Sequence, residues 1–203
     1  MNTEHETGNT ERGTRNAELV NKLTTYISIL RGINVSGHNP VKMDALRQLY
    51  DELGFSDIQT YIQSGNVVFK SENTDSLLLE KTIHEKIFDS FGWKVPVIVL
   101  TIHELKNSLD KNPFINSPLK DPAFMHLTFL SGLPDQELVE KIHPGFYLPD
   151  EFFISGKTIY LYCPTGYGNT KLSNAFFEKK LNLTATTRNL HTSIKLLNLA
   201  ENI

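Results

Sequence analysis

Three polar loops carry the residues whose types and spacing could do chemistry. The first runs Arg31-Gly32-Ile33-Asn34-Val35-Ser36-Gly37-His38-Asn39. It lies between a β-branched run and an apolar helical stripe, and such strand-to-helix junctions present unpaired backbone N–H groups to anions. Arg31 offers a planar fork for a phosphate or carboxylate. Gly32 and Gly37 let the backbone approach a ligand, and Asn34 can orient one. The glycine spacing is not G-x-G-x-x-G, so the loop is no dinucleotide fingerprint. The competing reading is a structured loop whose Asn34 and Asn39 bond their own backbone.

The second loop is Pro164-Thr165-Gly166-Tyr167-Gly168-Asn169-Thr170-Lys171-Leu172-Ser173. Asn169 or Thr170 is expected to cap the helix that follows. Lys171 then falls in the first turn, where a cation opposes the helix dipole and a bound anion would relieve it. The order G-x-x-x-x-G-K-[ST] is absent, so no triphosphate loop is implied. The third loop, Thr184-Ala185-Thr186-Thr187-Arg188-Asn189, sets hydroxyls beside a cation and an amide; the same groups can simply cap the last helix. Ser64-Gly65-Asn66 resembles a nucleophile turn, but a hairpin explains it. The predicted ligand-binding set is therefore Arg31, Lys171 and Arg188 as charge partners, with Asn34, Ser64, Asn66 and Asn189 orienting. No residue earns a catalytic role.

Other chemistries lack a signature. Seven histidines include no H-x-x-x-H or H-E-x-x-H pair, and one cysteine cannot build a Cys-based zinc site, so no metal site is predicted. No cofactor motif is present. Cys163 ends an apolar strand, Ile159-Tyr160-Leu161-Tyr162-Cys163, and reads as a small buried hydrophobe. It cannot form an internal disulfide, which suits a cytoplasmic location. No apolar run reaches 18 residues, so no membrane partner is expected. The net charge of −3 gives no global attraction to nucleic acid. Residues 166–203 nevertheless hold five Lys/Arg against two Glu, a mildly basic end on an acidic body.

The elements that must position these loops follow from periodicity. Residues 1–22 are polar and read as a disordered tail. Thr24 to Arg31 is a strand. Met43, Leu46, Leu49, Tyr50 and Leu53 form one helical stripe that stops at Gly54. Strands at Ile58–Gln63 and Asn66–Lys70 are expected to pair across Ser64-Gly65 alone. Leu79, Ile83, Ile87, Phe88 and Phe91 mark a second helix, and Val95–Leu100 a fourth strand. That order is βαββαβ. Thr101-Ile102-His103-Glu104 is a capping box. Lys111 to Pro122, with three prolines, reads as a linker. The pattern then restarts. A strand spans Ala123–Leu130, a helix begins near Pro134, and a hairpin turns at Ser155-Gly156-Lys157. Leu172, Phe176, Phe177 and Leu181 mark a helix, Thr184–Thr187 a short strand, and Ile194, Leu197 and Ala200 a last helix. The predicted fold class is α+β: two tandem ferredoxin-like halves, 23–110 and 123–203, with mainly antiparallel sheets, helices on one face and a C-terminal helix.

At the polar motifs the chain resembles the bacterial family known as domain of unknown function 1697. The matching stretches are Arg31 to Asn39, Tyr61 to Phe69, Gly168 to Asn174 and Ala185 to Asn189. The chain departs from the usual pattern at Ser36, at Asn169-Thr170 and at Leu190. The resemblance implies paired ferredoxin-like units and carries no established activity, so no catalytic role transfers.

Three readings of function stay open. The first is a binding protein, or an enzyme, for a small anionic ligand such as a phosphate ester or nucleotide. The second is RNA or single-stranded DNA binding on an open sheet, with Tyr26 and Tyr61 stacking bases. The third is a non-catalytic protein-interaction or homo-oligomer module, such as a homodimer, whose exposed sheet faces or edges pair with another chain.

Overall fold

The computed structural model describes residues 23–35, 37–72 and 75–203. The expected N-terminal tail, residues 1–22, and Ser36 lie outside them. β1 is Thr24–Leu30, α1 Met43–Glu52, β2 Ser56–Tyr61, β3 Asn66–Ser71, α2 Ser76–Phe91 and β4 Val97–Thr101. After α3 (Ile102–Asp110) the order repeats. It runs β5 Met125–Leu130, α4 Gln136–Glu140, β6 Glu151–Ser155, β7 Thr158–Tyr162, α5 Asn174–Leu181 and β8 Ala185–Asn189. α6, Leu190–Glu201, closes the chain. The sheets run β2-β3-β1-β4 and β6-β7-β5-β8, and every pairing is antiparallel. Each half is thus a ferredoxin-like unit, and the fold is α+β as the periodicity predicts.

Alternation along β1 explains why both sheet faces are covered. Tyr26 and Leu30 point toward the core formed with α1 and α2, whereas Ile27 and Ile29 point into a second core. That second core unites both halves. It joins Val68 and Leu100 of the first sheet to Leu127, Phe129 and Tyr160 of the second. α6 packs there against α3 and against strands of both sheets. A third core lies under α5. At about 25 cal/mol per Å2 of apolar surface, a shared core of this kind makes the two halves one cooperative structure.

Local signals place the ends. Gly54 and Gly92 take left-handed backbone after α1 and α2, where a side chain would be strained. The capping box forms: Thr101 Oγ1 accepts from Glu104 N at 3.1 Å, and Glu104 Oε2 accepts from Thr101 N at 2.9 Å.

Four expectations need correction. The β2–β3 connection holds four residues, Ile62 to Gly65, with left-handed backbone at Ile62 and Gly65. A Cβ on Gly65 would stand 2.7 Å from Leu30 Cβ, so the turn presses against β1. α5 starts at Asn174 with Ser173 as cap, and Thr170 instead accepts from Leu172 N. Lys171 therefore precedes the helix, and the dipole argument for an anion there falls. On α6, Leu190, Leu196 and Ala200 are buried while Ile194 is exposed, so the apolar face is rotated from the predicted stripe. The α2 stripe is narrower than predicted, because Phe88 is exposed beneath Lys94.

The segment 111–122 packs closely. Phe114 enters the shared core, and Lys120 sits 4.3 Å from the Tyr162 ring centroid while pairing with Glu151.

Candidate functional site

The polar motifs meet where the ends of β1 and the β2–β3 turn face β8. Arg188 on β8 is the hub. Its Nε donates to Asn66 Oδ1 at 2.5 Å. Nη1 donates to Thr187 O at 2.8 Å and Thr186 Oγ1 at 3.3 Å. Nη2 donates to Leu30 O at 2.7 Å and Ser64 O at 2.8 Å. A guanidinium has five N–H groups, and these five bonds use them all. Burial pushes the Arg188 guanidinium down to about 10, so it is still a cation at neutral pH. Among the described residues it has no carboxylate partner; carbonyl, amide and hydroxyl dipoles hold it.

Around this hub the predicted residues divide. Asn66 also donates from Nδ2 to Tyr61 O at 3.1 Å and Ser64 Oγ at 2.9 Å, which closes the turn. Asn34 donates from Nδ2 to Val41 O and Gln63 O and accepts from Val41 N, all within 2.8–2.9 Å. It thereby ties the 31–41 loop to the same turn. Arg31 crosses to the other half, pairing with Glu178 of α5 and donating to Ala185 O at 3.3 Å. Asn189 does not join them: it caps α6, accepting from Thr192 N at 2.7 Å. Lys171 lines a separate hollow with Tyr147 and Asp150. The seven residues do not form one cleft, because Asn189 caps α6 and Lys171 lines the separate hollow.

The 164–173 loop reaches the junction through a residue outside the predicted set. Tyr167 donates to Thr187 Oγ1 at 3.0 Å, and Thr187 Oγ1 donates to Asn174 Oδ1 at 2.7 Å. Thr128 Oγ1 lies 2.6 Å from Thr187 Oγ1, and the His126 ring stacks on Tyr167 at 4.8 Å. Burial raises the Tyr167 phenol and lowers the His126 imidazole. The four stretches that carry the family resemblance thus all contact this junction, which works as a clasp between the halves. Its hydrogen-bonding capacity is largely spent internally.

A second region keeps capacity in reserve. A hollow of about 240 Å3 lies between α3 and the β6–β7 turn. Its floor is Leu100, Phe129 and Tyr160, and its rim carries Lys111 from the end of α3 and Lys157 from the turn. Glu104 also lines it, but that carboxylate is engaged in the capping box. Ser108 Oγ and Thr158 Oγ1, 2.9 Å apart, join the walls. Tyr160 is only 1% exposed. Burial alone pushes its phenol up to about 12, and no group of the described residues bonds its hydroxyl. Sequence reasoning missed this residue because Tyr160 reads as one more apolar position in β7. Lys157 stood in view only as a turn residue.

Two ferredoxin-like units closed by a shared core and an arginine clasp define a tandem α+β protein. Residues 23–160 match the family described as Protein of unknown function (DUF1697), and the chain belongs to that family. It is similar to the solved structure of the conserved bacterial protein SP0830 from Streptococcus pneumoniae. The TM-score is 0.69 at 25% identity, covering 89% of this chain and 99% of that one. Comparison with curated proteins returns no match. Among the described residues no helix is long and apolar enough to cross a membrane, and no group of three or more His, Cys, Asp or Glu is arranged to hold a metal ion.

Proposed function

We propose that the protein binds a small anionic ligand, such as a phosphate ester or nucleotide, in the hollow between α3 and the β6–β7 turn. The observation that carries this reading is the hydroxyl of Tyr160, a buried residue of the hollow's lining, to which no hydrogen bond from the described residues is made. A hydrogen bond from this phenol to a charged ligand oxygen is worth about 1.5–3 kcal/mol. A phenol held at about 12 is protonated at neutral pH, so it donates to an anionic oxygen. Lys111 and Lys157 supply charge at the rim, and Leu100 and Phe129 give the ligand's body an apolar seat. An apolar hollow with a few convergent polar groups is the usual form of a small-molecule site. A cytoplasmic setting suits the free, buried Cys163 thiol, which burial pushes up to about 11.

The stacking alternative fits less well. Tyr26 is 1% exposed beneath α1 and α2, and Tyr61 packs on the shared core, so neither ring stands on an open sheet. A thermal-shift screen of phosphate esters, nucleotides and carboxylates tests the proposal. A ligand at 100 times its dissociation constant adds about 2.7 kcal/mol. The gain should vanish in Lys157→Ala and shrink in Tyr160→Phe. A flat screen on folded protein, or a hit insensitive to both changes, contradicts it.

A further inference from the structure

A second hollow, of about 170 Å3, lies beside the loop that leads into β6. Asp150 is at its back, 7% exposed, with Oδ1 buried and without any hydrogen-bond partner. No Lys or Arg of the described residues pairs with this carboxylate. Local bonding and packing hold the loop around it. Asp150 N donates to Tyr147 O at 2.9 Å, and the Tyr147 ring packs edge-on against Phe152 and Phe176. Asp150 also lies near enough to Cys163 for its charge to raise the thiol further.

A carboxylate oxygen buried without a donor has given up the hydrogen bonds that water supplied, a cost the fold leaves unmet. A fold keeps such a group where something outside the chain completes it. The completing group must donate hydrogen bonds and carry positive charge. The walls narrow the choice. Tyr147 and Phe146 present aromatic rings, which attract an ammonium group. A single carboxylate is a poor cage for a divalent cation, which takes six or more oxygens. Lys171 stands on the rim, exposed, with the opposite charge.

We infer that this hollow binds a small zwitterion of the amino-acid class, its ammonium on Asp150 and its carboxylate on Lys171. The site shares no residue with the hollow under α3 and stands or falls independently of it. It also gives Lys171 a role that the start of α5 denies it.

The test follows amide signals of Gly166, Gly168 and Asp150 in the full chain while common amino acids are titrated in, with acetate and methylamine as single-charge controls. Amino acids should perturb these signals, methylamine more weakly and acetate least. Asp150→Asn should lose about tenfold or more in affinity, as expected for a charge-assisted bond. Its ligand-free melting temperature should hold or rise, because no ion pair of the described residues is broken. Lys171→Met, at an exposed position, should reduce amino-acid binding to the methylamine level. No perturbation by any common amino acid overturns the inference. So does equal binding to Asp150→Asn, or a ligand-free Asp150→Asn that melts well below the parent.

Discussion

Arg188 in β8 and Tyr160 in β7 both belong to the second sheet and both carry polar atoms inside the protein, yet they are satisfied in opposite ways. Arg188 spends all five N–H groups on the chain itself, two of them on backbone carbonyls of the other half. Tyr160 spends nothing on it. A saturated buried cation cannot take a ligand without first breaking its own bonds. An unsaturated hydroxyl beside a hollow gains from one. The density of polar residues therefore marks the fastening between the halves, while the sparse polar atom marks the proposed binding site.

The largest expected effect tests the fastening. Arg188→Met leaves carbonyls of Leu30 and Ser64 and the amide of Asn66 without their donor. The loss should be about 3 kcal/mol or more, since each buried acceptor left without its donor costs about 1–3 kcal/mol. Arg188→Lys should recover little of it, because a point ammonium with three donors cannot reproduce the planar fork. Urea denaturation measures both, and a loss for Arg188→Met under about 1 kcal/mol would show that the clasp is dispensable.

Gly65→Ala should cost somewhat less, about 1–3 kcal/mol for a side chain at a left-handed position. The added Cβ also meets Leu30 and Ile33 at under 3 Å. The same turn carries Ser64 and Asn66 to Arg188, so this change should not add fully to Arg188→Met in a double-mutant cycle. Strict additivity would mean that the turn and the arginine act separately.

A smaller effect concerns pH. Burial holds His126 neutral, so its folded pKa lies below the unfolded value. The unfolded chain then binds more protons as pH falls below about 6.5. Stability contributed by the neutral ring is present above that value and is lost as pH drops toward the depressed folded pKa. Urea midpoints between neutral and mildly acidic pH should show this slope, and His126→Gln should flatten it. Burial raises the Glu80 carboxyl, which acts with the opposite sign, so the difference between parent and variant is the diagnostic quantity. An unchanged slope would place His126 outside the linkage.

Much of the fold was legible because its signals are local. Gly54, Gly92 and the Thr101–Glu104 box each fix an element end within one turn of chain. The repeat of βαββαβ follows from alternation and helical stripes alone. The start of α5 was not legible, since Asn169, Thr170 and Ser173 can all cap a helix. Burial of Leu172 and Phe177 decides among them, and that is a tertiary fact. The same holds for α6, where two apolar stripes compete and the shared core selects Leu190 and Leu196. The junction motifs stood out in the sequence, but their partners lie up to 158 residues away. No spacing rule tells a residue that binds the chain from one that binds a ligand. Tyr160 and Asp150 carry no local mark at all, because what distinguishes them is a missing partner.

Inorganic phosphate, titrated into the labelled full chain and followed through backbone amide signals, separates the two regions most directly. The account predicts that Gly156, Lys157 and Lys111 around the α3 hollow respond, while Gly65, Asn66 and Arg188 at the junction stay silent. A response centred on Gly65 and Arg188, with Gly156 and Lys157 unmoved, would show that the clasp opens to take the anion and would contradict the account.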